Sequence, residues 1–488
     1  MNSYIVMKVN KSIIERCVNS NVKKLLVEDE YEVKYIDPFE FFVGRRIDIV
    51  IKYLYVQNFL NNEGNTFIEN IYLENIKAFN QFVEADDTNK VGKDAFVKNF
   101  NSLICSVRDK GYDKNIYIPI DGKMLPIDGA HRIAIACALC DSIPCVMLNN
   151  DANIFDCDYF RKRDMPDYYL DYATIKYAQV KPNTYMVLVW PVSLGHDDEL
   201  LEILNRYGSV INRKNVKITY DGLVNLQRIV YRNEPWLGSY SNDFEGAHTK
   251  SVQCYNDNGI LRAFLFESKE NMIMMKEEIR KVFNLGKHAV HINDSHEETI
   301  EISQMIFNDN NIHYLNSSTR KEMRVFESLL DNFINYLNEN NIDKDCVAVI
   351  GGVLALYGIR DAKDLDYIGL VEMPSRISDS VELETKIMKY SSLSTSDIVN
   401  DPRNHIYYKG IKFASLPVLL EIKEKRGNDS DKLDASYIRK LLKDGVVKYS
   451  MVERLSKFFT ISFYRRNIKI FLLKIRYYLY LIKNKLVR

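Results

Sequence analysis

The chain has no excess of charge of either sign, because its 66 lysines and arginines are balanced by 66 aspartates and glutamates. A chain without net charge has no overall field that draws it to nucleic acid, so nucleic acid is not an expected partner. No uncharged apolar stretch reaches the length of a membrane span. The first residues also lack the basic and apolar regions of a secretory signal. The sequence therefore predicts a cytoplasmic protein.

Cysteine is also sparse, with eight residues in 488. So few cysteines do not form a dense disulfide framework, and reduced thiols are expected. Cys137, Cys140 and Cys145 come closest to the spacing of metal ligands. They lie on or just after an apolar helix, with no second Cys/His pair nearby, so a zinc site is not expected.

The chain is too long for a single hydrophobic core, and its length predicts about three domains. Apolar periodicity, interrupted by polar and proline-marked stretches, predicts a multidomain α/β (α+β) protein. The predicted parts are a first domain (1–150), a connector (151–182), a second domain (183–318), a third domain (319–450) and a basic helical tail (451–488).

A polar insert separates two apolar runs in IPIDGKMLPIDGAHRIAIACAL, which begins at Ile118. KMLPI predicts a short strand and IAIACAL a helix, so the insert lies at a strand-to-helix turn. Gly129 can adopt backbone angles that other residues avoid. His131 and Arg132 fall in the first helical turn, whose unpaired N–H groups attract phosphate. The pattern indicates a phosphate site with Arg132 as a two-pronged donor. A plain Asp-Gly turn with an arginine–carboxylate surface pair is the alternative.

The run IDGAHRIAIAC resembles the Asp-Gly-x-His-Arg-x-x-Ala-Ala segment of the ParB and sulfiredoxin superfamily. That superfamily includes nucleotide-binding ParB proteins, sulfiredoxins and free-serine kinases. The resemblance implies a ParB/sulfiredoxin-like first domain in which this segment holds nucleotide phosphates. It implies a catalytic role for Asp128 and phosphate-binding roles for Gly129, His131 and Arg132.

A histidine lies at a strand end in the second domain. This domain opens with the strand TYMVLVWPV and the helix DDELLEILNRYG, and later the short strand HAVHI precedes a helix opened by Ser295. Glu297 and Glu298 fall in the first turn of that helix, as a helix start prefers. At such a strand end, His291 can accept a phosphoryl group or simply hydrogen-bond to its neighbours.

The second domain resembles a nucleoside diphosphate kinase. That family carries Ile-Arg, then Gly-Arg-Asn, then a nucleophilic His followed by Gly-Ser-Asp-Ser and a glutamate. The matching runs here are Ile279-Arg280, Gly286-Lys287-His288 and His291-Ile292-Asn293-Asp294-Ser295. The resemblance implies a ferredoxin-like fold, the nucleophile's position for His291, and phosphate binding by Arg280 and Lys287.

The second domain also departs from that family. Trp190-Pro191 replaces the Lys-Pro of the family's first strand, and His288 replaces the asparagine three residues before the nucleophile. Because the family's lysine binds phosphate, its loss removes a charge that phosphoryl transfer needs. The fold is therefore expected, whereas a stable phosphohistidine on His291 is not.

The third domain contains a glycine pair followed by an Asp-x-Asp pair in VAVIGGVLALYGIRDAKDLDYIGL. A strand leads into Gly351-Gly352 and a short helix, and a second strand carries Asp364 and Asp366. Alternation along a strand places both carboxylates on one face. They repel each other unless a cation such as Mg²⁺, usually bridging to a triphosphate, neutralises them. The glycines let the backbone approach those phosphates and Arg360 can hold them, while a solvated strand end is the alternative.

This segment resembles the signature of the polymerase-β-type nucleotidyltransferase superfamily, in which Gly-Gly or Gly-Ser precedes Asp-x-Asp. The resemblance implies a nucleotidyltransferase fold in which Asp364 and Asp366 bind the metal and are catalytic. It also implies that Gly351, Gly352 and Arg360 hold the phosphates of the nucleotide.

The resemblance extends to IYYKGIKFASLPVLLEIKEKRGNDSDKLD. Related proteins have a strand there, followed by a Lys-x-x-Arg…Lys-Asp-x-x-Asp helix. The matching residues are Lys423, Arg426, Asp431 and Asp434, with Ser430 in place of the second lysine. A third metal-directed carboxylate is usual in the family. The strand HIYYKGIKFAS has none, and Asp401 just before it is the best candidate.

The tail SKFFTISFYRRNIKIFLLKIRYYLYLIKNKLVR has many basic residues and no acidic one. Its apolar residues fall on one helical face, beside a second row formed by Lys469, Arg476 and Lys483. The apolar residues are Ile468, Leu472, Ile475, Leu479, Ile482 and Leu486. A basic amphipathic helix suits peripheral contact with the anionic inner face of a membrane. Docking on the protein's own body or on a partner is the other interpretation.

Three phosphate-binding patterns in one chain predict an enzyme of phosphoryl or nucleotidyl transfer that uses a nucleoside triphosphate and Mg²⁺. A kinase-like site together with a nucleotidyltransferase suits activation of a sugar or polyol, for example in surface-polysaccharide synthesis. One alternative is a nucleotide-sensing or scaffold protein with degenerate sites, which the missing lysine and the unplaced third carboxylate favour. Another is a toxin–antitoxin-type nucleotidyltransferase that modifies protein or RNA.

Overall fold

The computed structural model describes residues 6–84, 90–371, 374–444 and 475. The described residues form a mixed α/β architecture with three small sheets. The chain divides into two compact units, residues 1–173 and residues 174–488. Within the described ranges, no helix combines the length and the apolar character needed to cross a membrane.

The first unit is built on a four-stranded sheet. Its elements in chain order are β1 (Val6–Asn10), α1 (Lys11–Ile14), α2 (Ser20–Lys23), β2 (Glu30–Ile36), α3 (Ile47–Leu60), α4 (Thr66–Asn80), α5 (Lys93–Lys110), β3 (Ile118–Ile120), α6 (Ala130–Leu139), β4 (Ile143–Met147), α7 (Cys157–Arg161) and α8 (Asp167–Val180), which continues into the second unit. The strand order is β1-β2-β4-β3, and only the pair β3 and β4 is parallel. Because α6 connects these parallel strands, the loop before α6 lies at the carboxyl end of β3, where α/β sheets commonly bind ligands.

Local sequence accounts for several of these helices. The apolar spacing that predicted helices in GRRIDIVIKYLYVQNFL and FIENIYLENIKAFNQF is confirmed by α3 and α4. Asn65 caps α4, because its side chain accepts hydrogen bonds from the amides of Phe67 and Ile68 at 3.1 and 3.2 Å. Residues 151–182, interpreted from sequence as a connector, contain α7 and α8.

The segment KMLPI does not form the short strand that its apolar residues indicated. The strand lies earlier, at β3, and only an isolated bridge joins Ile120 to Pro126. The buried carboxylate of Asp121 accepts hydrogen bonds from the amides of Lys123 and Leu125, both at 2.8 Å. These bonds form a turn, and Pro126 has no N–H group with which to continue a ladder.

The second unit begins with a four-stranded antiparallel sheet. The elements of this part are β5 (Thr184–Val189), α9 (Asp197–Tyr207), β6 (Ser209–Lys217), α10 (Tyr220–Val230), α11 (Glu245–Cys254), β7 (Ile260–Glu267), α12 (Met272–Phe283), β8 (Val290–Ile292), α13 (His296–Ile306) and α14 (Asp309–Ser317). The strand order is β6-β7-β5-β8. Helices α9 and α12 bury Leu204 and Ile279 against Val187 and Phe266 of the sheet. The structure confirms the strand and helix predicted at its start and the strand and helix predicted around His291.

The remainder of the second unit contains a six-stranded sheet. Its elements are α15 (Arg324–Asn340), β9 (Cys346–Val349), α16 (Gly351–Leu356), β10 (Leu365–Gly369), β11 (Arg376–Ser378), β12 (Val381–Leu383), α17 (Thr395–Asn400), β13 (His405–Tyr408), β14 (Ile411–Ala414), α18 (Leu416–Arg426) and α19 (Asp429–Asp444). The strand order is β11-β12-β10-β9-β14-β13. Strand β9 is antiparallel to β10 and parallel to β14, so the sheet is mixed. The strand order places β9 and β10 in its interior.

The segment HIYYKGIKFAS is a hairpin, not the single strand expected from its apolar residues. Tyr408 pairs with Ile411, so Lys409 and Gly410 form a two-residue loop. Both loop residues have positive φ, 49° and 79°, as a type I′ turn requires. The basic helix predicted for the tail (451–488) lies outside the described residues, apart from Ile475.

Candidate functional site

The glycine pair and the Asp-x-Asp pair lie side by side in the six-stranded sheet. Helix α16 begins at Gly351, directly after β9, and β10 begins at Leu365. A Cβ atom on Gly351 would lie 3.6 Å from Asp364 Oδ1, in ordinary contact. A Cβ atom on Gly352 would lie only 2.7 Å from Leu365 Cδ1, so glycine permits this close approach. The start of α16 therefore packs against the segment that contains Asp364 and Asp366.

The turn between β9 and α16 contains an unusual backbone conformation. Ile350 has φ +51° and ψ −111° and is buried. A β-branched residue at positive φ is a rare outlier, and such strain costs of order 1–3 kcal/mol. Strained residues of this kind cluster at functional sites, which agrees with the position of Ile350 immediately before the glycine pair.

Asp366 lies in a crowded acidic environment on β10. Burial, and then the carboxylate of Asp364, raise the pKa of Asp366 to about 6. Glu384 and Glu382 act in the same direction, and Arg426 acts against them. Carboxylates this close disfavour one another's ionisation unless a cation is present.

The acidic side chains near Asp366 are Glu382 and Glu384, not Asp401, which the sequence suggested. Asp401, the expected third carboxylate, accepts hydrogen bonds of 2.5–3.1 Å from the side chain of Arg403. Glu382 lies on β12, which is parallel to β10, and is in register with Asp366. Glu384 follows at the end of the same strand. The sequence analysis did not identify either glutamate, because a strand of three residues has no periodic signal. Their Glu-x-Glu spacing was the one local sign that both could face the same site.

The four residues that match the family's helical pattern meet in one network of ion pairs. Lys423, which is buried, lies 2.8 Å from Asp431 and 2.9 Å from Asp434. Arg426 donates two hydrogen bonds of 2.7 Å to Asp431. Although burial alone would raise it, hydrogen bonds from Arg426 and Lys423 lower the pKa of Asp431 to about 2. Arg360, expected to hold phosphates, binds Asp434 at 3.1 and 3.3 Å.

The donor set at Asp364 and Asp366 fits Mg²⁺ shared with a triphosphate. Mg²⁺ prefers oxygen ligands and is usually held by one or two carboxylates, with water and substrate phosphates completing its octahedron. Among the residues that the structure describes, no group of three or more His, Cys, Asp or Glu side chains could hold a metal on its own.

The Asp-Gly-x-His-Arg turn lies between β3 and α6 of the first unit. Gly129 has φ +91°, and a Cβ atom there would lie 2.7 Å from Ile118 Cδ1, so both conformation and space favour glycine. Asp128 accepts a hydrogen bond of 2.7 Å from Asn19. Helix α6 begins at Ala130, which leaves its first backbone N–H groups at the turn.

His131 and Arg132 occupy the first turn of α6, as predicted from the sequence. Burial, and then the charge of Lys52, lower the pKa of His131 well below its usual range, so the ring is neutral. Arg132 Nε is buried and has no hydrogen-bond partner within the described ranges. The turn therefore presents a buried guanidinium donor next to the start of a helix.

His291 lies on β8, where it pairs with Leu188 of β5. Its ring centroid is 5.1 Å from that of Tyr231 in an edge-on arrangement. Burial, and then the charge of Lys276, lower the pKa of His291 to about 3. As predicted, Ser295 caps the next helix, because its Oγ accepts a hydrogen bond of 3.2 Å from the Glu298 amide. His291 is thus a neutral imidazole at a strand end.

Part of the positive charge near His291 comes from Lys250, a residue that the sequence motifs do not include. Lys250 of α11 donates to the backbone carbonyl of Lys287 at 2.6 Å and lies 3.4 Å from His288 Nδ1. Burial, and then the charge of Lys250, lower the pKa of His288 to about 4. No motif includes Lys250, because it comes from a helix that the family pattern does not mark.

Several buried donors around His291 are unused. In the described part of the chain, His291 Nε2, Arg280 Nε and Trp190 Nε1 are buried without a hydrogen-bond partner. Arg280 is also paired with Glu277 at 2.5 Å. An unpaired buried donor is costly, and the charges that act on His291 are mainly those of cations, Lys276, Lys250 and Arg280, against the single carboxylate of Asp294. The arrangement suits an anion that accepts hydrogen bonds.

Comparison of the chain with protein-family models, with curated proteins and with solved structures gives no match. The functional interpretation therefore depends on the geometry and chemistry of the three sites described above. The carboxylate site combines the largest number of features that bear on one reaction.

Proposed function

We propose that residues 319–444 bind a nucleoside triphosphate with Mg²⁺ and transfer its nucleotidyl group to a hydroxyl-bearing acceptor such as a sugar or polyol. The observation that carries this proposal is the position of Asp364 and Asp366 beside Gly351 and Gly352. The raised pKa of Asp366, about 6, supports it, because burial and the neighbouring carboxylate of Asp364 raise it and a bound cation would offset that repulsion.

In the proposed reaction, the acceptor's hydroxyl oxygen forms a bond to the α-phosphorus of the nucleotide. The bond from that phosphorus to the bridging oxygen breaks, pyrophosphate leaves, and the hydroxyl proton passes to solvent. Asp364 and Asp366 hold the metal, and the absence of side chains at Gly351 and Gly352 lets phosphates approach the backbone. Mg²⁺, when bound, supplies charge neutralisation on the triphosphate oxygens.

The fold assignments are part of the same proposal. The strands β5, β6, β7 and β8 follow the order 2-3-1-4, are antiparallel to their neighbours, and pack against α9 and α12. This supports a ferredoxin-like domain of the nucleoside diphosphate kinase type. The β3–α6–β4 crossover supports a ParB/sulfiredoxin-like first domain, and the glycine pair between β9 and β10 supports the nucleotidyltransferase fold.

The test replaces Asp364 and Asp366 together by asparagine, which removes the charge and nearly preserves the shape. Loss of charge-assisted bonds to a bound metal and nucleotide is expected to weaken Mg²⁺-dependent nucleotide binding about ten- to a hundredfold. Titration calorimetry on the full chain, with each nucleoside triphosphate in the presence and absence of Mg²⁺, measures the change. Pyrophosphate release in the presence of sugars and polyols then tests for transfer.

Asp331→Asn is the matched control for this experiment. Asp331 is an exposed aspartate on α15 that pairs with Lys409 at 3.2 Å, and we expect its loss to leave nucleotide affinity unchanged. Unchanged Mg²⁺-nucleotide affinity in the double variant would contradict the assignment.

A second candidate function is nucleotide or phosphate sensing at His291. The unused buried donors of His291, Arg280 and Trp190 favour it, because they suit a bound anion without requiring transfer. In this version the second domain binds phosphate while the chemistry takes place at the carboxylate site.

A further inference from the structure

A half-buried arginine of the second unit has no acidic partner. Arg228 lies on α10, with its guanidinium carbon 3.9 Å from the ring centroid of Phe244 and 5.3 Å from that of Tyr240. Its Nη1 donates a long hydrogen bond of 3.5 Å to Asn225 Oδ1, and its Nε is buried without a hydrogen-bond partner. Among the described residues, no carboxylate forms an ion pair with Arg228. Aromatic rings therefore hold this guanidinium while most of its N–H groups are unused.

The backbone around this arginine is strained and fixed. Asp243 and Phe244 are consecutive residues with positive φ, 50° and 52°, which bulky side chains rarely adopt. This conformation places Phe244 at the N-cap of α11 and against Arg228. Asn225 donates to the Leu315 carbonyl at 2.8 Å, which ties α10 to α14. Backbone strain clusters at functional sites, because the surrounding structure must hold it.

Two phenolic hydroxyls lie near the same arginine. They belong to Tyr314 of α14 and Tyr408 of β13, whose ring centroids are 6.0 Å apart. Burial raises the pKa of both phenols, so they keep their protons and can donate hydrogen bonds. The positive charge of Arg228 acts in the opposite direction on both, which places it near the two hydroxyls. Neither hydroxyl has a hydrogen-bond partner among the residues that the structure describes.

The neighbouring arginines already have acidic partners. Arg232, just after α10, pairs with Glu301, and Arg320 pairs with Asp221 at 2.6 Å. Removing a cation from water without pairing it is unfavourable. A bound anion would remove this cost at Arg228 and would also accept hydrogen bonds from the two phenols.

One acid lies beside this group of donors. Glu327 of α15 accepts a hydrogen bond of 2.7 Å from the Tyr240 hydroxyl and, within the described ranges, forms no ion pair. After burial, its carboxylate is among the charges that raise the pKa of Tyr408. Because a negative charge here repels an anion at Arg228, removal of that charge should strengthen anion binding.

We propose that Arg228, Tyr314 and Tyr408 bind a phosphate group, either free phosphate or the phosphate of a phosphorylated small molecule. The planar guanidinium can donate from Nη1 and Nη2 to two phosphate oxygens, and the phenols can donate to the others. A carboxylate has too few oxygens to match this number of donors. The site shares no residue with the carboxylate site or with the donors around His291. It therefore goes beyond the proposed function, and either can fail without the other.

The experiment is nuclear magnetic resonance of the full chain labelled with ¹⁵N-arginine, without metal. The Nε–H signal of Arg228, assigned by its disappearance in Arg228→Lys, is protected from exchange because Nε is buried. Inorganic phosphate and a hexose phosphate are titrated separately, and each is expected to shift this signal to saturation. The tighter of the two identifies the source of the phosphate group. Sodium chloride at the same ionic strength should cause no comparable shift.

Two kinds of variant should change the phosphate affinity in opposite directions. Tyr314→Phe and Tyr408→Phe should each weaken it about two- to tenfold, because each removes one donor. Glu327→Gln should strengthen it about two- to tenfold, because it removes a repulsive charge. This gain also separates binding from folding, since a variant that merely damages the structure does not bind more tightly.

Two matched controls should leave the phosphate affinity unchanged. In Tyr207→Phe the lost hydroxyl bonds to Glu278 at 2.6 Å, and in Glu339→Gln the lost charge is an exposed one on α15. The proposal is overturned by an Arg228 signal that does not respond to phosphate or responds equally to chloride. Unchanged affinity in both tyrosine variants, or weaker binding in Glu327→Gln, would also overturn it.

Discussion

At the scale of single residues, the partly buried carboxyl of Asp366 links the candidate site to the stability of the free protein. Its folded-state pKa of about 6 is above the ordinary 3.8, so the folded state binds this proton more tightly than the unfolded chain. The stability from this group is complete below about pH 4 and is lost as the pH rises through about 6. At neutral pH the free protein therefore carries an electrostatic cost at the site of proposed metal binding.

This cost predicts that Asp366→Asn stabilises the metal-free protein at pH 8. The expected gain in the free energy of unfolding is about 1–3 kcal/mol, because a pKa shift of one unit corresponds to about 1.4 kcal/mol. Urea denaturation of both proteins at pH 4 and pH 8 measures it. The gain should be small at pH 4, where the wild-type carboxyl is largely protonated in the folded state. An equal gain at both pH values would show that charge at this position is not responsible.

His291 and Lys250 provide a second residue-scale prediction. We expect no stable phosphohistidine after incubation with γ-labelled ATP, because Trp190, directly after β5, occupies the position at which the nucleoside diphosphate kinases that this domain resembles in sequence carry a phosphate-binding lysine. Lys250→Met should nevertheless weaken pyrophosphate binding near His291 roughly tenfold, since Lys250 contributes positive charge there. The histidine resonances of the full chain report this binding.

Lys269→Met, at an exposed position, serves as the control for Lys250→Met and should leave the binding unchanged. An acid-labile label on the wild type that disappears in His291→Ala would contradict the first part of the prediction. It would show that His291 accepts a phosphoryl group although Trp190 carries no charge.

At the scale of elements, the buried side chain of Asn311 helps to join α14 to the edge strand β13. Asn311 donates to the Tyr407 carbonyl at 2.7 Å and accepts from the Tyr407 amide at 2.8 Å. The side-chain amide thus completes the backbone hydrogen bonds of a strand edge that would otherwise be unpaired at this residue. It also couples the antiparallel four-stranded part of the second unit to its six-stranded sheet.

Asn311→Ala is expected to lower the free energy of unfolding by about 2–4 kcal/mol, because it leaves a buried amide and a buried carbonyl of Tyr407 without partners. Urea denaturation measures the loss. Asn340→Ala is the control, since Asn340 is exposed and its side chain donates to the Tyr336 carbonyl within the same helix. Equal losses in the two variants would mean that the edge contact is not important for stability.

Elements were predictable from sequence where their signals are local. Helices α3, α4 and α13 follow local apolar spacing, and the side chains of Asn65 and Ser295 cap α4 and α13. The hairpin at Lys409-Gly410 is not evident from the sequence, because its apolar alternation continues on both sides of the turn. KMLPI has the apolar residues of a strand, but Asp121 accepts hydrogen bonds from the following amides and the chain turns there instead.

At the scale of the whole molecule, the chain forms two compact units, and each has a hydrophobic core of its own. One core of the first unit contains Ile14, Val33 and Val146, and one core of the second contains Leu204 and Phe266. The Asp-Gly-x-His-Arg turn belongs to the first unit, whereas His291 and the carboxylate site belong to the second. Because the units have separate cores, we expect a substitution at a site in one unit to leave ligand binding at a site in the other unchanged.

Local sequence is enough to specify most strands and helices near the motifs, the glycines at Gly129 and Gly352, and the acidic pair at Asp364 and Asp366. These features depend on residues a few positions apart, through periodicity, capping and backbone conformation. The side chains that complete the sites come from distant segments and are identified by the packing of the folded chain. Tyr72 meets His131, Lys250 meets His288 and Glu382 lies beside Asp366 across elements that are far apart in sequence. The physical reason is that such contacts follow from how apolar faces pack together, which no local pattern specifies.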